Sequence, residues 1–166
     1  MKFFELGGVQ IPLEANINFK QTYADVQKKI IHRMMDGTAK PQGTFSKLKT
    51  ALSGSGYSGH GLDGLDYSGA LTLKCAEPRS IGSASNVIII PAERRSDAGY
   101  EPMGVAIVNN RRVFTGIASV SGDQYTVETR AGATAYQVAY YPQLNVIAHR
   151  PESNGGLSWR IEAEEV

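Results

Sequence analysis

The stretch Lys28–Leu52, KKIIHRMMDGTAKPQGTFSKLKTAL, decides whether this chain is all-β or carries a helix. Asp36-Gly37 divides it, and an Asp-Gly pair supplies the positive φ that a tight hairpin turn needs. Ahead of the turn, Lys28–Met34 mixes basic and apolar residues. Behind it, Thr44–Leu52 offers Phe45, Leu48 and Leu52 to a core. A helix over Tyr23–Met35 is the local competitor. The hairpin reading predicts two antiparallel strands meeting at Asp36-Gly37.

Outward from there the β signature repeats. Val9, Ile11 and Leu13 alternate with Gln10 and Pro12, the pattern of an edge strand, since proline donates nothing to a central ladder. Asn16–Lys20 alternates with Ile17 and Phe19 on one face. Ala70–Cys75 and Asn86–Ile90 follow, the latter stopped by Pro91, and then a polar, turn-rich stretch from Arg94 to Met103. GVAIVNNRRVFTG (residues 104–116) reads as a hairpin across Asn109-Asn110, because asparagine tolerates the left-handed region. SVSGDQYTVET turns at Gly122-Asp123. ATAYQVAYYP puts Tyr136, Val138 and Tyr140 on one face, Asn145–Ala148 extends, and the last strand aligns Leu157, Trp159, Ile161 and Ala163.

Short strands at regular spacing, without a long amphipathic helix, predict a mainly β sandwich or barrel. The expected organisation is one β-rich domain over residues 1–166. It has core hairpins within 9–52 and 70–90, an immunoglobulin- or fibronectin-III-like region at about 104–148, and a C-terminal strand at 157–166.

Between Ser53 and Gly69 the chain reads SGSGYSGHGLDGLDYSG, with six glycines and four serines in 17 residues. Glycine-rich sequence of this kind suits neither helix nor central strand, so it is expected as a long surface loop free of core residues. Gly54–Gly59 matches G-x-G-x-x-G in form only. More glycines follow where a dinucleotide site needs a helix, so no cofactor is expected. Asp63 and Asp66 beside His60 lack the spacing of a calcium loop and are expected to cap a short helical turn or to bond loop amides, with no metal.

With 166 residues, 42% hydrophobic and 20% charged, the chain is long enough for a sizeable core. Its net charge of +1 lacks the excess of a nucleic-acid binder. The charge is unevenly spread, with basic pairs at Lys28-Lys29, Arg94-Arg95 and Arg111-Arg112 against Glu162, Glu164 and Glu165 near the end. Solvated strand faces and a soluble tail are one reading of this. An acidic end that meets basic pairs on a neighbouring copy is the other. Cys75 is the only cysteine and alternates with Leu71 and Leu73, which predicts core burial. MKFFELGGVQ is no secretory signal, and Val87–Ile90 is far too short to span a bilayer, so no membrane association and folding in the cytoplasm are expected. No nucleophile elbow or catalytic triad is spaced recognisably, so no enzyme is expected. Tyr136, Tyr140, Tyr141 and Trp159 read as core and rim, or alternatively as the lining of a carbohydrate or peptide groove.

The run from Ile30 to Gly104, with AYQVAYYPQL and the terminal WRIEAEEV, resembles small tail-module proteins of contractile-tailed bacteriophages, in particular the baseplate "ripcord" type. The resemblance implies a tail-tube-like β fold that assembles as a ring, usually a hexamer, joining the tail tube to the baseplate hub, with tail tube, sheath or baseplate hub proteins as its partners. It implies a structural virion protein, made in the host cytoplasm, without activity, cofactor or specific nucleic-acid partner. Carried onto this chain, Asp36, Gly37, Gly54, Tyr57, Leu62 and Leu65 would contact neighbouring subunits, and Glu162, Glu164 and Glu165 would face a neighbour or the next ring. The alternative function is a β-sandwich module that binds a host surface or glycan; a tail-associated hydrolase is the third.

Overall fold

The computed structural model describes residues 2–153 and 157–166, with the side chain of Thr44 left aside. Its strands, in chain order, are β1 (Glu5–Leu6), β2 (Val9–Gln10), β3 (Lys20–Arg33), β4 (Ala39–Ser55), β5 (Leu71–Lys74), β6 (Arg79–Ser83), β7 (Val87–Ile89) and β8 (Met103–Val108). They continue with β9 (Arg111–Thr115), β10 (Ile117–Ser121), β11 (Gln124–Val127), β12 (Ala133–Tyr140), β13 (Gln143–Ala148), β14 (Glu152–Ser153) and β15 (Ser158–Glu165). The chain is mainly β, as the sequence predicts, and its antiparallel sheets stay open rather than closing into a barrel. The region Tyr23–Met35 is strand, not helix.

Two compact units share the chain. Unit 1 takes the residues up to Phe4 together with Lys74–Leu144, and unit 2 takes Glu5–Leu73 and Asn145–Val166. The expected grouping of residues 70–90 as one hairpin is corrected by this division. β5 joins the unit 2 sheet, β6 pairs with β12, and β7 pairs with β11. The region 104–148 likewise does not form one sheet, because its last strand, β13, pairs with β15.

In unit 1, β6-β12-β8-β9 form one sheet and β10-β11-β7 another. The β8–β9 hairpin turns at Asn109 and Asn110, both with positive φ (50° and 59°), the left-handed pair that matches strand twist. Tyr136, Val138 and Tyr140 do share a face, and they pack with Ile88, Ile90, Tyr125 and Val127. Cys75 is fully buried.

Unit 1 also buries a cation that the sequence pattern did not announce. Arg95, expected in a polar turn, is 1% exposed. Its Nη1 donates to the carbonyls of Phe3 and Cys75 (2.8 Å each), its Nε donates to Asp97 (3.0 Å), and its guanidinium lies 3.2 Å from the Tyr100 ring centroid. A buried guanidinium is tolerated where carbonyls, a carboxylate and an aromatic face replace water. Its neighbour Arg94 closes the Gly122-Asp123 turn, donating to the Gly122 carbonyl and to the Asp123 carboxylate. This basic pair is thus internal wiring rather than a solvated face.

Unit 2 is built on an eight-stranded sheet, ordered β2-β1-β5-β13-β15-β4-β3, with β14 also on β15. Its inner face buries Leu6, Leu48, Leu52, Leu73, Val146, Trp159, Ile161 and Ala163. Trp159 is 3% exposed and donates its indole N–H to the Ala15 carbonyl (2.7 Å). Gly54 lies directly under that ring, where a Cβ would come within 2.5 Å of it. The expected edge strand Val9–Leu13 is only β2, because Pro12 leads into a 3-10 turn at Leu13–Ala15. The expected extension over Asn16–Lys20 is also absent: β3 starts at Lys20, and Ile17 is exposed.

Replacing Trp159 with alanine should cost about 3–5 kcal/mol in chemical denaturation, the range for a buried large aromatic; a near-neutral change would place the indole outside the core. Asp97 gives a pH test. Its carboxyl is held below its ordinary value of 3.8, chiefly by hydrogen bonding to Arg95. A depressed folded value adds stability above the unfolded value, and that stability is lost as pH falls through the folded one. Melting curves below about pH 4 should therefore fall more steeply for the wild-type chain than for Asp97→Asn. Parallel curves would refute that coupling.

Candidate functional site

The feature with the clearest functional content is the far part of the β3–β4 hairpin. β15 covers β4 only from Lys49 to Ser55, so from Leu48 outward β3 is the one strand beside β4 among the described residues. The ladder continues through Lys28↔Phe45, slips one residue at Thr44, and runs on from Lys29↔Gly43 to Arg33↔Ala39. Such a bulge sharpens the local twist of the ribbon. At 3.3 Å per residue, the nine residues Asp25–Arg33 carry it about 30 Å past the third strand.

At the tip, the Met34 N–H donates to the Thr38 carbonyl and the Gly37 N–H to Met34, with Gly37 at φ +84°. Asp36 accepts the Thr38 amide (2.9 Å), a bond that lowers its pKa. Asp36-Gly37 thus makes the turn that the sequence predicts.

Residues 27–43, 45 and 46 are all exposed. Among them are Ile30, Ile31 (62% exposed), Met34, Met35 and Phe45 (47% exposed). Phe45 was expected in the core beside Leu48 and Leu52. Those two are buried, whereas Phe45, an odd number of residues from both, points with its partner Lys28 to the opposite face of the ribbon and is exposed. Lys28, Lys29, Arg33 and Lys40 share this ribbon. β3 is moreover the outermost strand of its sheet, a 14-residue edge. Native proteins normally blunt so long an edge or cover it.

The other expected contact residues lie elsewhere in unit 2. Gly54 belongs to β4 and is buried under Trp159, so it has no surface to offer. Leu62 is fully buried. The glycine-rich loop therefore contributes to the core and is not the purely surface element expected. The Tyr67 hydroxyl donates to the Leu62 carbonyl, and the backbone N–H of Leu62 donates to His60 Nδ1. Asp66 accepts the backbone N–H and the hydroxyl of Ser68, an amide bond of the kind expected. Leu65 is half-buried against Gly7. Tyr57 is exposed, and its N–H donates to the Glu14 carbonyl.

The acidic end is a strand, not a tail. Glu162 meets Lys49 (3.0 Å) and Arg160 (2.7 Å), and these two cations, Lys49 first, hold its carboxyl below the ordinary range. Glu165 accepts the Leu48 N–H (2.9 Å), which caps β4 where β15 stops. Glu164 is exposed on the same outer face as Glu162, opposite Ile147 of β13. The aromatics that might have lined a groove are interior or half-buried: Tyr140, Tyr141 and Trp159 are buried, and Tyr136 packs on the unit 1 core.

Comparison with protein-family models, with curated proteins and with solved structures finds no match to this chain.

The loop makes a discriminating pair. Leu62→Ala should destabilise unit 2 by about 2–5 kcal/mol, whereas Tyr57→Ala should stay within about 0.5 kcal/mol. Equal effects from the two would mean that the loop does not pack as described.

Proposed function

We propose that this chain is a structural assembly subunit, a ring component of a contractile phage tail at the junction of tube and baseplate, and that the protruding β3–β4 ribbon is its principal contact with neighbouring copies. The supporting observation is the ribbon itself, a two-stranded extension with apolar side chains in solvent on an uncovered sheet edge. An isolated two-stranded hairpin is marginal in water, and an exposed edge with hydrophobic residues associates readily. A monomeric function gives no reason to keep Ile30, Ile31 and Phe45 there. The resemblance to ripcord-type tail proteins supplies the ring and its place, and a contact between unlike surfaces closes into a ring when the rotation permits.

The test is the mass of the purified chain in solution by light scattering, joined to electron microscopy. The wild-type chain should form a discrete ring-sized oligomer. A variant in which residues 27–46 are replaced by an Asn-Gly turn should be a folded monomer with nearly unchanged melting, because every described side chain removed is exposed. A wild-type chain that stays monomeric at high concentration, or a shortened one that still assembles, would refute the proposal.

A further inference from the structure

The charges of unit 2 are segregated. Residues 25–48, the two-stranded ribbon, hold five Lys or Arg against two Asp, while the rest of the unit holds four Lys or Arg against eight Asp or Glu. A net charge near zero for the whole chain thus hides a basic arm on an acidic body. On the outer face of the arm, Lys28 stands beside Phe45, with Ile30 and then Lys40 further out. On the outer face of the body, Glu162 and Glu164 alternate with the buried Ile161 and Ala163, and Ile147 is exposed opposite Glu164. The body face also holds Lys49 and Arg160, both paired with Glu162, so its uncommitted carboxylate is Glu164 beside Ile147; the arm offers cations around apolar side chains to that carboxylate on a body that is acidic as a whole.

We infer that the arm of one copy docks on the β13–β15 outer face of a second copy, with Phe45 and Ile30 against Ile147 and with Lys28 and Lys40 against Glu162 and Glu164. This rests on the assembly reading above and specifies its contact. Pairing arm with arm would set basic surface on basic surface, so charge favours arm on body. An anionic polymer attracted to the arm would be repelled by the body that carries it. The apolar contacts supply attraction, and the charges fix register and reject wrong orientations. Single exposed ion pairs contribute little, so the effect depends on several acting together and weakens with salt.

The experiment is a charge swap in the full chain, read by sedimentation velocity at about 0.05 M and about 0.5 M salt, ionic strengths either side of the physiological screening range. The double variant Lys28→Glu/Lys40→Glu, reversed on the arm, should weaken self-association at least about tenfold at low salt. Glu162→Lys/Glu164→Lys, reversed on the body, should do the same. All four changes in one chain should restore association to within about threefold of wild type, a result that misfolding cannot produce. Glu164→Lys alone is the milder companion, since Glu162 also holds Lys49 and Arg160; it should give a smaller loss in the same direction. Failure of the fourfold variant to recover, or unchanged assembly of the arm variant, overturns the docking mode while leaving the assembly reading in place. A wild-type chain that never associates overturns both. Tight binding of duplex DNA by that monomer would assign the arm to nucleic acid instead.

Discussion

A β-ribbon two strands wide has no interior: both of its faces meet water unless another layer covers them. The rest of unit 2 depends on where that condition sets in. Over Lys49–Ser53, β4 lies between β3 and β15, and the inner face carries Leu52, Trp159 and Ile161. One residue further out the β4–β15 ladder has ended, the Glu165 carboxylate accepts the next amide, that of Leu48, and the hairpin continues by itself. The same two strands thus serve as core at one end and as uncovered surface at the other. That transition is where we propose the molecule meets its neighbours.

The glycine-rich segment and the acidic end fit the same division of labour. Gly54 lets the indole of Trp159 settle on β4, and Leu62 anchors the loop into the core. Glu162 is engaged by Lys49 and Arg160, which leaves Glu164 as the more available carboxylate of that face. Unit 1 is organised around its own interior, with Arg95 joining the Phe3 and Cys75 carbonyls to Asp97.

Much of this was legible from residue order. The Asp36-Gly37 and Asn109-Asn110 turns, the face shared by Tyr136, Val138 and Tyr140, and the burial of Cys75 and Trp159 follow from alternation and from turn chemistry that is local. Phe45 lies three residues before Leu48, so the strand's alternation turns it, with its partner Lys28, to the face opposite Leu48 and Leu52, a parity that residue order already contains. What escaped depends on distant partners. Leu62 sits amid glycines that signal a loop, and its burial is decided by packing that no local pattern encodes. Arg95 looked like half of a solvated basic pair, because sequence does not reveal which carbonyls will converge on a guanidinium. The concentration of cations on the hairpin was visible as Lys28-Lys29. Its opposition to an acidic body needed the unit boundaries.

Hydrogen–deuterium exchange on the wild-type chain, dilute and assembled, tests most directly whether another chain completes the ribbon. In dilute solution, the amides of residues 27–46 should exchange fast while those of Thr50–Leu52 and Trp159–Ala163 stay protected, since a ribbon without a core opens easily. On assembly, the ribbon amides should slow by at least about tenfold and the rest should change little. Assembled particles in which residues 27–46 still exchange as fast as in the dilute chain would contradict the account.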